Sequence, residues 1–124
     1  MTIRGLDHIN IGTDRLDETI AFFRDIMGLK PGWRPDFPFG GAWLYAGETA
    51  VVHLVELPRA KRPSREAALD HFAFRIDDYD AVIARLEAAG VAYQAVDIPR
   101  TEIRQINLLD PNGANIELNY RPGP

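Results

Sequence analysis

The sequence predicts an α+β fold made of two tandem copies of one βαβββ module, and three observations carry that prediction. First, residues 7–30 (DHINIGTDRLDETIAFFRDIMGLK) lie over residues 70–93 (DHFAFRIDDYDAVIARLEAAGVAY) with residue class matching at most positions. Second, each copy passes from a short strand-like run after an Asp-His pair to a helix-period stretch that stops near a glycine. Third, each copy closes on two strand-like runs joined by a turn.

The elements follow in order. After Asp7-His8 comes a first strand, and a helix opens near Asp14 and runs to about Met27, with Leu16, Ile20, Phe23 and Met27 on one stripe and Gly28 as its stop. Trp43-Leu44-Tyr45 and Ala50 to Leu57 read as strands joined at Ala46-Gly47-Glu48-Thr49. Proline and charge concentrate between the copies, so module 1 spans about 1–57, a solvated linker about 58–69, and module 2 about 70–121. In the second copy Asp77 or Asp78 caps a helix whose stripe is Tyr79, Ile83 and Leu86 and which ends at Ala89-Gly90. Ile103 to Leu109 and Asn115 to Tyr120 are strands joined at Asp110-Pro111-Asn112-Gly113. A module of about 60 residues buries little core alone, so the copies are expected to pair their sheets, within one chain or between chains.

Composition narrows the function. The 124 residues, 46% of them hydrophobic, fit one domain rather than two unrelated ones. A net charge of −4 with no basic run gives no footprint for nucleic acid. The absence of cysteine removes disulfides, thiolate nucleophiles, iron–sulfur clusters and Cys-ligated zinc, so a metal here must use His, Asp, Glu or water. The N-terminus has no signal pattern and no run reaches membrane-spanning length, which makes the cytoplasm the expected location and excludes a membrane partner.

Three histidines and one glutamate form the constellation that carries chemistry. His8 and His71 are 63 residues apart and His53 and Glu117 are 64 apart, so the repeat places a potential ligand pair in each copy. Each pair comes from the first and last strands of its copy, and one register can point both members to the same face. Taken singly, each histidine is more often a satisfied half-buried side chain than a ligand. His53 and Glu117, however, put polar groups into otherwise apolar strands, and an unpaired buried carboxylate is costly. An ion pair with Arg75 or Arg104 is the alternative account of Glu117. Neutral imidazoles with one carboxylate suit Zn, Ni, Fe, Mn or Co and suit calcium poorly.

Residues 31–45 thread Trp33, Phe37, Phe39, Trp43 and Tyr45 through prolines and glycines, which reads either as an aromatic mouth for a small molecule or as rings covering the core. Arg34 is a candidate for a substrate carboxylate. Gln105 and Asn107 alternate onto one strand face, and Asn10, Asn115 and Asn119 fall on inward faces, a pattern of a wet cavity. Glu56, three residues from His53, falls on the opposite face.

The tandem modules, the Asp-His openings, His53 in the fourth strand and the closing Asp110-Pro111-Asn112-Gly113 followed by Ile116-Glu117-Leu118 together resemble the vicinal oxygen chelate superfamily. That superfamily includes glyoxalase I, extradiol dioxygenases and the fosfomycin- and bleomycin-resistance proteins. The resemblance implies an open barrel-like cup, often completed in a homodimer, with His8, His53, His71 and Glu117 as metal ligands. Four ligands on an octahedral ion leave two positions for the vicinal oxygens of a substrate, and polarisation there favours proton removal to an enediolate. Glu117 is then the first candidate for the base and His53 the second. The implied activity is that of a metal-dependent lyase or isomerase of the glyoxalase-like branch.

Departures keep other readings open. Glyoxalase I usually carries Glu or Gln where His53 stands. Extradiol dioxygenases and fosfomycin transferases use two His and one Glu, matching His8, His71 and Glu117. An extradiol-type ring-cleaving dioxygenase is therefore the alternative, and a non-catalytic small-molecule binding protein the second. The fosfomycin enzymes' potassium loop has no recognisable counterpart, while bleomycin-binding members lack the metal residues that this chain has.

Overall fold

In the computed structural model, which describes residues 2–123, the chain divides into two compact units, Met1–Lys61 and Arg62–Pro124. Unit 1 comprises β1 (Ile9–Thr13), α1 (Leu16–Ala21), a π-helical turn (Phe22–Ile26), β2 (Lys30–Gly32), β3 (Gly41–Ala46) and β4 (Thr49–Glu56). Unit 2 comprises β5 (His71–Ile76), α2 (Tyr79–Ala89), β6 (Gln94–Asp97), β7 (Arg104–Leu109) and β8 (Asn115–Tyr120). Both are βαβββ, and both sheets have the same order, β1-β4-β3-β2 and β5-β8-β7-β6, with the first and fourth strands parallel and the rest antiparallel.

Alternation along the strands separates two faces. On one face of the first sheet Ile11, Leu44, Val52 and Leu54 are buried, along with Phe23 and Leu29. On one face of the second, Ile106, Leu108, Ile116 and Leu118 are buried, along with Tyr79 and Leu86 of α2. Removing a Leu-sized side chain from water contributes about 1.5–3 kcal/mol, so these rows set the register, and the residues between them are turned to the other face.

The helices follow their expected stripes with one difference. Only Leu16–Ala21 is α-helical; the next five residues form a π turn in which Met27 N–H reaches the carbonyl of Phe22, 3.3 Å away. Thr13 and Thr19 hydroxyls lie 3.1 Å apart in the interior, and Thr13 Oγ1 accepts from the Arg15 amide at the helix start. In the second helix Asp78 accepts from the Ala81 amide, and Gly90 closes the helix in the left-handed conformation that lacks a Cβ penalty.

The turn before β8 is built on a buried aspartate. Asp110 Oδ1 accepts from the amides of Asn112 and Ala114 at 2.8 and 2.7 Å, and Gly113 takes a positive φ of 81°. The expected linker is more than a connection. Ser64 donates to the Asp70 carbonyl and accepts from the Asn115 amide, so its second half is stitched into unit 2. Among the described residues no helix is long and apolar enough to cross a membrane.

Candidate metal-binding pairs

In unit 2 the face away from the apolar core carries His71 and Arg75 of β5, Asn115, Glu117 and Asn119 of β8, and Gln105 and Asn107 of β7. Their positions follow from register: His71 pairs with Asn115, Ala73 with Glu117 and Arg75 with Asn119, while Asn107 and Gln105 pair with Glu117 and Asn119 from the other side. His71 and Glu117 therefore stand on a diagonal, two residues apart along β8. In unit 1, Asn10 pairs with His53, so His8, two residues earlier, stands on the same diagonal. The duplication thus repeats the geometric offset of the pair as well as its residues.

Each pair begins with the same clamp. His8 Nδ1 lies 2.6 Å from Asp7 Oδ2, and His71 Nδ1 lies 2.9 Å from Asp70 Oδ1. A carboxylate there requires the proton on Nδ1, which leaves Nε2 with its lone pair outward, the arrangement that orients a ligating imidazole. Asp70 Oδ1 also accepts from Asn115 Nδ2 at 3.1 Å. The hydrogen bond from His71, followed by that from Asn115, holds the Asp70 carboxyl below its usual range. Asp7 and Asp70, which hold these rings, are the site neighbours that sequence reasoning left without a role, although the repeated Asp-His dipeptide was the signal for them.

Glu117 is half-buried, and Asn119 Nδ2 donates to its Oε2 at 2.9 Å. Neither arginine weighed as its partner takes that part. Arg75 donates to the Gly123 carbonyl at 2.6 Å, and Arg104 pairs with Asp97 and stacks over Tyr79.

His53 sits in a different environment. Its ring is stacked between His8, with centroids 3.7 Å apart and planes 11° from parallel, and Trp43, with centroids 4.0 Å apart. Its Nε2 donates to the Ala50 carbonyl at 3.1 Å, leaving Nδ1 with the lone pair. Burial, and secondarily the neighbouring His8, push its pKa below the ordinary histidine value. Imidazole lone pairs lie in the ring plane, and two near-parallel planes this far apart share no point where one ion meets both lone pairs. Joint ligation by His8 and His53 requires one ring to leave the stack.

The aromatic segment continues this stack. Trp33 meets Trp43 edge-on at 5.8 Å and Phe37 lies 6.5 Å from Trp43, while Trp33 remains 71% exposed. Tyr45 gives its hydroxyl to the Trp33 carbonyl at 2.5 Å and so braces the segment. Arg34 is folded into its own loop, 4.9 and 5.2 Å from the centroids of Phe37 and Phe39, with a hydrogen bond to the Phe39 carbonyl. Among the described residues, neither unit by itself gathers three or more metal-ligating side chains. The donor set, two clamped imidazoles, a third imidazole and a half-buried carboxylate, is chemically suited to a borderline divalent ion.

Comparison with known proteins agrees with this frame. The family model for the Glyoxalase/Bleomycin resistance protein/Dioxygenase superfamily matches residues 5–118. The chain is 30% identical to the uncharacterized protein YaeR of Escherichia coli, covering 94% of this chain and 95% of that protein. It is 27% identical to Glyoxylase I 4 of Arabidopsis thaliana over 94% of this chain and 70% of that one. Among solved structures, a glyoxalase family protein of Bacillus anthracis superposes with a TM-score of 0.82 at 23% identity, covering 98% of each chain. The fosfomycin resistance protein FosX of Listeria monocytogenes, in complex with Mn(II) and 1S,2S-dihydroxypropylphosphonic acid, gives 0.76 at 20% identity over 96% of this chain and 93% of that one. Lactoylglutathione lyase of Agrobacterium tumefaciens gives 0.72 at 20% identity over 97% and 96%. At these identities the structural likenesses establish the fold.

Proposed function

Because the chain belongs to the Glyoxalase/Bleomycin resistance protein/Dioxygenase superfamily, we propose that it is a metal-dependent enzyme that acts as a lyase or isomerase on a small substrate with vicinal oxygens. The observation that carries this reading is the repeated diagonal, His8 with His53 and His71 with Glu117, each opened by an aspartate clamp. His8, His71 and Glu117, with His53 as the fourth, would hold a divalent ion, drawn from one chain or from two chains of a homodimer. FosX, with its Mn(II), supports a divalent ion in this fold. When bound, such an ion supplies Lewis-acid polarisation of a carbonyl and lowers the acidity threshold of the adjacent C–H.

The chain's own residues do the rest. Asp7 and Asp70 fix the ring orientation of His8 and His71. Asn119 holds Oε2 of Glu117, so proton transfer falls to Oε1. His53 is the second candidate for the base; burial, and secondarily its His8 neighbour, disfavour its protonated form. Trp33, Phe37 and Trp43 supply an apolar surface beside His53, and Gln105 and Asn107 supply hydrogen bonds beside Glu117 for orienting the substrate.

One observation favours a second reading. His53 is already bonded to Ala50 and stacked, which leaves His8, His71 and Glu117 as a two-His, one-carboxylate set of the kind used by ring-cleaving dioxygenases. Elemental analysis of protein purified without chelator, repeated on H53A, H71A and E117Q, tests both. Roughly one Zn, Ni, Co or Mn per ligand set, lost in all three variants, supports the first reading. Iron retained in H53A, with oxygen uptake on adding a catechol, moves the assignment to the second. No metal in any preparation refutes both and leaves a small-molecule binding protein.

A further inference from the structure

The polar face of unit 2 continues beyond Glu117 into an arginine row that neither the fold nor the metal pairs require. Arg75 lies in register with Asn119, and Asn119 in register with Gln105, two residues along β8 from Glu117. At about 3.3 Å per residue this places the row roughly 7 Å from the Glu117 row. Arg75 and Arg121 both line a cleft of about 520 Å³ at the end of β5 and β8, together with Asp77, Tyr120, Pro122 and Gly123.

Two features, one in this cleft and one beside it in the Asn119 row, lack an internal account. Among the described residues neither guanidinium has a carboxylate within ion-pair distance, and the recorded polar contact of Arg75 is with the neutral carbonyl of Gly123. A guanidinium presents a fork of donors matched to a planar or tetrahedral oxyanion, and a single amide oxygen satisfies only part of it. Asn119 Oδ1, beside Arg75 in register, is buried without a donor, while its Nδ2 is committed to Glu117. An orphaned buried acceptor in a polar row calls for a ligand donor.

We propose that Arg75, seconded by Arg121, binds an oxyanion group of the substrate, a carboxylate or a phosphoryl group, and that Asn119 Oδ1 accepts a hydroxyl between that group and Glu117. The assignment of this anion to a substrate rests on the metal-dependent reading above, and it narrows the substrate to a vicinal-oxygen compound whose anionic group lies a few bonds from the chelating oxygens.

The test is an NMR titration of metal-free full-length protein with inorganic phosphate and, separately, with acetate, at constant ionic strength set by chloride. The expected result is a saturable shift of the Arg75 Nε–H and Asn119 side-chain amide signals. R75Q should weaken binding at least tenfold, R75K should restore part of it, and R121Q should weaken it less. Saturation by phosphate alone names a phosphoryl group, and saturation by acetate as well names a carboxylate-sized site. Shifts that rise linearly with either salt, or equal binding by R75Q with wild-type amide dispersion, overturn the proposal. Metal content of the unsubstituted protein is measured in parallel: metal uptake with no anion binding defeats this inference alone, whereas anion binding by a protein that takes up no metal defeats the functional reading and leaves the anion site standing.

Discussion

Replacing Trp43 with leucine tests whether His53 ligates the metal. His53 is held by the Trp43 ring at 4.0 Å, the His8 ring at 3.7 Å and a hydrogen bond to Ala50. The planes of His8 and His53 differ by only 11°, so His53 must leave this stack to share an ion with His8. Each aromatic pair is worth about 0.5–1.5 kcal/mol beyond its buried area. That stacking energy opposes ligation, and leucine removes the Trp43 share of it while keeping an apolar side chain over the strand. At about 1.4 kcal/mol per tenfold, W43L should tighten metal binding by roughly 2- to 12-fold.

Competition for Zn²⁺ against a chelating dye measures the change, with H53A and the double variant W43L/H53A as controls. If His53 is a ligand, the gain appears in W43L and vanishes in the H53A background. Unchanged or weaker binding in W43L, with a normal unfolding transition, refutes the requirement that His53 moves. The ligand set would then be His8, His71 and Glu117, the set that the dioxygenase reading needs.

Removing the clamps should act on the metal without unfolding the chain: D7N and D70N each lose about 10–100-fold in affinity in the same competition assay, because the imidazole they orient becomes free to rotate. Leu86, 1% exposed on α2, should cost about 2–5 kcal/mol as L86A in urea unfolding at fixed pH, with the metal-free protein as the sample. Stability of that protein should also fall as pH is lowered from about 7.5 through the ordinary histidine value of about 6.5. The sign follows from His53, whose folded value is depressed, so the unfolded chain takes up the proton first. Urea midpoints across this range should lose part of their slope in H53F. Asp70, depressed by its partners, contributes stability above the ordinary carboxylate range that disappears as pH falls further, and D70N should flatten that acid limb.

Much of this fold was legible because its cause is periodic. The stripe Tyr79, Ile83 and Leu86, the Asp78 cap and the Gly90 stop specify α2 locally, and the alternation in β7 and β8 specifies which face carries Gln105, Asn107 and Glu117. The π turn at Phe22–Ile26 was not legible, since a single widened turn leaves the apolar stripe almost unchanged. The three-residue β2 is exposed throughout and exists through its pairing with β3, so its own residues carry no pattern. At the site, residue identity was readable but orientation was not. Nothing in AVVHLVEL says that the imidazole turns back to Ala50, or in residues 31–45 that Arg34 folds onto Phe37 and Phe39. Those outcomes depend on contacts between strands and loops rather than on neighbours in sequence.

The two copies have diverged into complementary halves. Unit 1 surrounds His53 with Trp43 and His8, and burial pushes its pKa below the ordinary histidine value, a setting that favours lone-pair donation and apolar contact. Unit 2 holds Glu117 by a hydrogen bond from Asn119, with Asn107 in register beside it and Gln105 in register with Asn119. On the proposed reading, proton transfer falls to Glu117, and His53 serves metal binding or ring recognition. The two copies share the diagonal and the aspartate clamps but carry an imidazole, His53, in one and a carboxylate, Glu117, in the other, so the proposed reading gives the acid–base work to a single residue. E117Q should then abolish turnover even at metal concentrations that restore full occupancy, whereas H53Q should lose metal affinity first and recover activity as metal is added.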